Sequence, residues 1–181
     1  MAIRNIRYDT DEVLRKRSRE IETIDNKIRE LAIDMLDTMY KFDGVGLAAP
    51  QVGILKRIIT IDIGEGPKVL INPVIKKAQG KQTGEEGCLS FPNVFGNVDR
   101  PETVVVEAFD IDGNKIRIKA KGLEAVVLSH EIDHLEGILF VDKAYDMYEL
   151  TEEEIEAAKK ESQKQEQATK KNNKRNKKCK R

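Results

Sequence analysis

The chain has only two histidines, and both fall within His130-Glu131-Ile132-Asp133-His134. Residues four apart share one face of an α-helix, so the two imidazoles can grip a single metal ion, with Glu131 one step round the helix. This is the H-E-x-x-H arrangement of metal-dependent hydrolases, in which the glutamate works as a base on water. The five letters also arise by chance in unrelated proteins, where a histidine on a buried helix face is a satisfied core residue. The preceding run Leu123-Glu-Ala-Val-Val-Leu-Ser129 is apolar on most sides and reads as a buried helix. Two imidazoles and a carboxylate are costly in such a place unless something pairs with them, and a metal would do so. A helix over about 123–136 is therefore expected, ended by Gly137, with Ile138–Val141 resuming as a short strand.

A catalytic metal site of this kind uses three protein ligands and one open position. No histidine follows His134, so the third ligand must be sought elsewhere. Cys88, in Glu85-Glu-Gly-Cys-Leu-Ser90, is the better candidate because a reduced thiol is free to ligate. A small buried hydrophobe is the alternative reading of Cys88. Gly44-Val-Gly-Leu-Ala-Ala-Pro-Gln51 superficially fits a dinucleotide fingerprint. It follows a helical pattern rather than a strand, and Pro50 and Gly53 prevent a long helix from starting, so it reads as a loop or short extended piece.

The segments Gly44–Gln51, Glu86–Ser90 and His130–Gly137 together resemble the three signature motifs of peptide deformylases, G-x-G-x-A-A-x-Q, E-G-C-x-S and H-E-x-D-H, in the family's order. The resemblance covers about residues 1–150. It implies a hydrolase that removes the formyl group from the N-terminal formyl-methionine of newly synthesised polypeptides and releases formate. It also implies a metal held by Cys88, His130 and His134, Glu131 as general base and then acid, and oxyanion donors from the Gln51 side chain and the Leu89 backbone N–H. Ferrous iron is the ion the resemblance points to. The Cys-His-His donor set is equally compatible with zinc, nickel or cobalt. A formamide needs a strong nucleophile, oxyanion stabilisation and a proton for the leaving amine, and these groups supply all three.

Val126 and Val127 lie one turn before His130 and Leu123 two turns before. With Val45 they are candidates for an apolar methionine pocket, and each is also a plausible core residue. The backbone of Val45, Gly46, Gly87 and Leu89 can pair with an extended peptide, a mode that ignores side chains and suits an enzyme acting on many proteins. Glu86 and Arg100 are candidates to orient the metal ligands from behind, although isolated charges are usually solvated.

The fold class expected is α+β: antiparallel sheets packed around a buried metal-binding helix, plus a C-terminal helix and a basic tail. A short helix is expected within Asp9–Arg15 and a long one over 26–42, where Ile28, Leu31, Ala32, Met35, Leu36 and Met39 recur at helical spacing. Strands are expected at Arg57–Ile63, Lys68–Ile75 and Glu102–Asp110, with a turn between extended pieces at Gly80–Gly84. Asp112-Gly113 should turn the chain into a last strand, Lys115–Ala120. The domain reading is a catalytic domain over 1–150, a C-terminal helix over 151–169 opened by Thr151 and three acids, and a tail over 170–181. The tail carries eight Lys or Arg and no acid, so the overall formal charge of zero hides +8 there against −8 in the rest (24 basic, 32 acidic). Such a segment cannot bury a core and is expected to be disordered; it is either a solubilising extension or an anchor on ribosomal RNA. Cys179 lies within it and is not expected to ligate the metal. No apolar run approaches membrane-spanning length and the N-terminus lacks a signal-peptide apolar region, so a cytoplasmic protein without a membrane partner is expected. The competing functions are a general metallopeptidase, which would need a third ligand after His134, and a binding protein with a structural metal, which would fill all four positions with protein ligands.

Overall fold

The computed structural model describes residues 2–157. Met1–Met147 forms one compact unit. Its helices are α1, Asn26–Lys41, and α2, Leu123–Leu135. The strands, all paired antiparallel where the register is defined, are β1 Gly46–Ala48, β2 Ile58–Ile61, β3 Lys68–Gln79, β4 Gln82–Cys88, β5 Phe91–Arg100, β6 Thr103–Phe109, β7 Lys115–Lys121 and β8 Tyr145–Glu149. They make a five-stranded sheet in the order β1-β2-β3-β6-β7 and a three-stranded sheet in the order β4-β5-β8. The class is α+β, with α2 buried at the centre. Among the described residues no helix is long and apolar enough to cross a membrane.

Two apolar clusters explain why the larger sheet is covered on both faces. Ala125, Leu128, Ile132 and Leu135 of α2 pack on Val104, Val106 and Ala108 of β6 and on Ile59 and Ile61 of β2. Ile28, Leu31, Met35 and Met39 of α1 pack on Leu47, Ile58 and Ile71 from the other side. Alternating residues of β2 thus enter opposite clusters, and the strand reads as a continuous apolar run because both its faces are buried. Asp25 starts α1 by accepting the Ile28 N–H at 2.9 Å.

The C-terminus of α2 is fixed as tightly as its packed face. The Gly137 N–H donates to the His134 carbonyl and the Ile138 N–H to the Asp133 carbonyl, a Schellman closure with Gly137 at φ 74°. A β-carbon at position 137 would lie 2.5 Å from the Arg15 carbonyl oxygen, so only glycine permits this approach. The helix therefore stops one residue after His134.

Several sequence expectations need correction. Ile138–Val141 is not a strand: Phe140–Asp142 forms a 3-10 turn. The apolar run exists because Phe140 is buried against the His130 ring, with centroids 6.1 Å apart, and the Asp142 carboxylate accepts the Leu139 N–H at 2.9 Å, which curls the chain. The helix expected within Asp9–Arg15 shortens to a 3-10 turn, Glu12–Arg15, capped by Asp11. The turn placed across Gly80–Gly84 closes at Gly80, and Gly84 lies inside β4. Strands β4, β5 and β8 carry no alternating pattern and were not anticipated. Beyond Met147, Thr151 and Glu154 cap each other reciprocally and residues 152–157 are helical. The rest of the expected 151–169 helix, the 170–181 tail and Cys179 lie outside the described residues.

The N-terminal arm is tied to α1 by Asp34, whose carboxylate accepts the Ala2 N–H at 2.7 Å and pairs with Arg4 at 2.8 Å. The Ala2 backbone bond is the main cause holding this carboxyl below its ordinary value of 3.8; burial opposes it and Arg4 assists. A carboxyl depressed in the folded state adds stability above its unfolded pKa and loses it as pH falls through the folded value. The stability advantage of wild type over Asp34→Asn should accordingly be full above about pH 5 and shrink steadily below pH 4, as read from urea midpoints across that range.

Candidate active site

Helix α2 sets His130 and His134 one turn apart, their ring centroids 5.0 Å from each other. Cys88 arrives from the other sheet. It ends β4, where a register shift between Gly87 and Cys88 distorts the ladder just before the Leu89-Ser90 turn into β5. A bulge of this kind re-aims a side chain, and here the thiol is brought to 3.3 Å from His134 Nε2. The ligand atoms of Cys88, His130 and His134 all lie within 4.8 Å of one another.

Behind the histidines stands a buried ionic network. Arg100 Nε and Nη2 donate to the two oxygens of Glu86 at 2.7 and 2.9 Å, and Nη1 donates to Asp133. Glu86 Oε2 lies 2.8 Å from His130 Nδ1, which leaves Nε2 as the nitrogen of that ring available to a metal. Burial works against ionisation of Glu86, but Arg100 and then His130 outweigh it and hold its pKa down at about 2. Asp133 in turn pairs with Lys143 at 2.6 Å. Glu86 and Arg100 thus meet in one cluster with His130, and Asp133, which the sequence reading passed over, belongs to it. Its position inside His130–His134 was the available signal.

Two buried polar atoms on α2 lack a hydrogen-bond partner among the described residues, Glu131 Oε2 and His134 Nδ1. Burial is the main cause lifting the Glu131 carboxyl to about 7; His130 and Arg100 oppose that and Glu86 adds to it. Burial likewise pushes His134 well below its ordinary value, whereas burial of His130 is overcome by the hydrogen bonds its ring donates to Cys88 and Glu86, which carry it up to about 10. The donor set fits a divalent cation: one thiol and two imidazoles converge, a carboxylate fixes one ring, and the count of three is that of a catalytic rather than a structural site. Cys88, His130 and His134 would hold the ion, and Glu131 is left over beside them.

Glu131 also sits against β1. A β-carbon at Gly46 would fall 2.9 Å from Cγ and Cδ of Glu131, so residue 46 must be glycine for the carboxylate to reach the cavity. Gln51, 1% exposed, lies in the 3-10 turn Ala49–Val52; its Oε1 accepts the Ala48 N–H at 2.8 Å and its amide approaches the Cys88 sulfur at 3.3 Å.

Several of these groups line a cavity of about 540 Å³. Val45, Gly46, Gln51, Glu86, Gly87, Cys88, Leu89, Leu123, Val126, Val127, His130 and Glu131 all line it. The exposure of Val45 (47%) and Leu123 (59%) shows that these two belong to the opening rather than to the core. Tyr8, Phe42 and Phe91 also line it; they lie far apart in sequence and carry no motif that would have revealed them.

A thiol and two imidazoles beside a buried carboxylate, one oxygen of which has no hydrogen-bond partner among the described residues, are the parts of a metal-dependent hydrolase. Comparison with known proteins is specific. Residues 3–149 match the family model described as polypeptide deformylase. Peptide deformylases of Caldicellulosiruptor bescii and Acetivibrio thermocellus are 54% and 57% identical, over 86% and 79% of this chain and 93% and 84% of theirs. The crystal structure of the Thermotoga maritima peptide deformylase aligns with TM-score 0.79 at 39% identity, covering 80% of this chain and 99% of that one. A peptide deformylase from Synechococcus elongatus in complex with actinonin aligns with TM-score 0.76 at 46% identity, over 78% and 79%. The chain belongs to the polypeptide deformylase family. Its activity is the family's, hydrolytic removal of the formyl group from N-terminal formyl-methionine of newly synthesised polypeptides.

Because Glu86 fixes the His130 ring, Glu86→Gln should weaken metal binding about 10–100-fold, measured by competition with a chromophoric chelator. An unchanged affinity would show that the ring is held by packing against Phe140 alone.

Proposed function

We propose that Glu131 carries the protons of formamide hydrolysis, that Cys88, His130 and His134 hold a divalent ion, and that Gln51 and the Leu89 N–H receive the oxyanion. The observation that carries this reading is the Glu131 carboxylate, which is buried, lines the cavity beside the three donors and has an oxygen without a partner among the described residues. A bound divalent cation supplies Lewis acidity to a water and to the formyl oxygen. Glu131 accepts the proton of the attacking water and returns it to the departing methionine nitrogen. Gln51 donates to the carbonyl oxygen as it gathers charge; an amide does this without competing for the ion as a carboxylate would.

The substrate enters as an extended chain. Strands β1 and β4 are each at the edge of a sheet, and both line the cavity through Gly46 and Gly87. Their unpaired backbone edges, with Val45 and Leu89, are suited to bonding an added peptide strand. Val45, Leu123, Val126 and Val127 offer the apolar wall for the methionine side chain. Main-chain recognition beyond one apolar anchor matches a substrate pool that varies after its first residue.

Ferrous iron is the proposed native ion, with zinc, nickel or cobalt as substitutes for the same donors. The proposed place of work is the cytoplasm, on nascent chains, with the 170–181 tail (+8) drawn to ribosomal RNA. That partner rests on charge alone: full-length protein should co-sediment with ribosomes at low salt more than a 1–169 truncation does, and equal pelleting would remove the tail from the account.

The assignment of the base is tested by Glu131→Gln. The variant should keep its metal, by elemental analysis after anaerobic purification, and lose formate release from formyl-Met-Ala by about 10²-fold or more. Wild type should leave acetyl-Met-Ala and internal peptide bonds intact. Retained turnover in the variant would remove Glu131 as base, and cleavage of internal bonds would favour a general metallopeptidase.

A further inference from the structure

We propose that Ser90 is a positioning residue for the Gln51 amide, an inference that rests on Gln51 being the oxyanion donor. Ser90 is fully buried at the end of the β4–β5 turn, and neither the metal ligands nor the base uses it. Its Oγ accepts from Gln51 Nε2 at 3.2 Å. The amide is thereby engaged at three points. The Ala48 N–H donates to Oε1, which selects the orientation of the amide, since the reverse orientation would oppose two N–H donors. One amide proton goes to Ser90 Oγ, and the other is directed at the Cys88 sulfur, 3.3 Å from Nε2. Gln51 and Cys88 both line the cavity whereas Ser90 does not, so the proton aimed at the sulfur is the one on the cavity side. Ser90 occupies the proton that would otherwise let the amide swing away, and the remaining proton passes from sulfur to the formyl oxygen as charge develops there.

The two main chains are tied together as well. The Arg7 N–H donates to the Gln51 carbonyl at 2.8 Å and the Asp9 N–H to the Ser90 carbonyl at 3.1 Å. The segment 7–9 therefore bridges the Gln51 turn and the Ser90 turn, and the Gln51–Ser90 side-chain bond closes a ring through both. Preorganisation of this kind raises the rate without strengthening ground-state binding, because the donor is already aimed when the oxyanion forms.

The test is a double-mutant cycle on fully zinc-loaded protein with formyl-Met-Ala. Gln51→Ala should lower kcat about 10²–10³-fold. Ser90→Ala should lower kcat about tenfold with KM within about twofold, and should cost nothing further in the Gln51→Ala background. Nitrogen-15 NMR of the Gln51 side-chain amide supplies a readout independent of turnover: its protons should exchange with solvent at least about tenfold faster in Ser90→Ala. If Ser90→Ala does not fold, Ser90→Cys, close in volume and a weak acceptor, should show the same direction in all three measurements. Wild-type kcat in the serine variants, or an equal loss with and without Gln51, would overturn the role of Ser90. Wild-type kcat in Gln51→Ala would instead overturn the donor assignment of Gln51 itself.

Discussion

A buried carboxylate decides how the rest of this site is arranged. Glu86 is 6% exposed, and in that position a charge persists only if its oxygens are satisfied. Arg100 takes both oxygens in a bidentate pair and His130 Nδ1 takes one of them again. The ring of His130 is oriented by that bond, and its other nitrogen is thereby turned toward Cys88 and His134. Arg100 reaches back to Asp133 on α2, so the hairpin strands and the helix are joined by charge as well as by apolar packing. A network in which each member is paired is rigid, and a half-paired one would cost more than an apolar core.

The topology puts these parts within reach of one another. The β4–β5 hairpin carries Glu86 and Cys88 on one strand and Arg100 at the far end of the other. Helix α2 crosses beneath with both histidines, its end fixed by the Gly137 closure and its face covered by β6 and β2. On the remaining side β1 brings Gly46 against Glu131, and the following turn brings Gln51 over the sulfur. Each functional side chain is therefore fixed by an element whose own position follows from burial, which is what a site needing sub-ångström placement requires.

Much of this was legible in the chain. The pairing of His130 with His134 follows from helical pitch, α1 and β6 follow from period, and the metal helix follows from a run that is apolar on most sides. Leu123, Val126 and Val127 were placed beside His130 by the same spacing, and they line the cavity. Cys88 was a candidate third ligand because no histidine follows His134, and the resemblance of the E-G-C-x-S segment implied the same; the geometry of the meeting was not legible, since it depends on the bulge at the end of β4. Strand β4 itself was hidden because Gly84, Glu85, Glu86 and Gly87 have no alternation, and pairing with β5 rather than a buried face makes it extended. Ile138–Val141 was misread because an apolar run says that a segment is buried but not that it is paired. Ser90 lay inside the E-G-C-x-S segment without a role assigned to it, and Tyr8 joins the site only through tertiary contacts that no local pattern announces.

The central claim is that one thiolate and two imidazoles share a single cation. X-ray absorption at the zinc edge of zinc-loaded protein tests it most directly. The account predicts one sulfur at about 2.3 Å and two imidazole nitrogens at about 2.0–2.1 Å, with a remaining light scatterer in the first shell. A first shell without sulfur, or with two sulfurs, would contradict it.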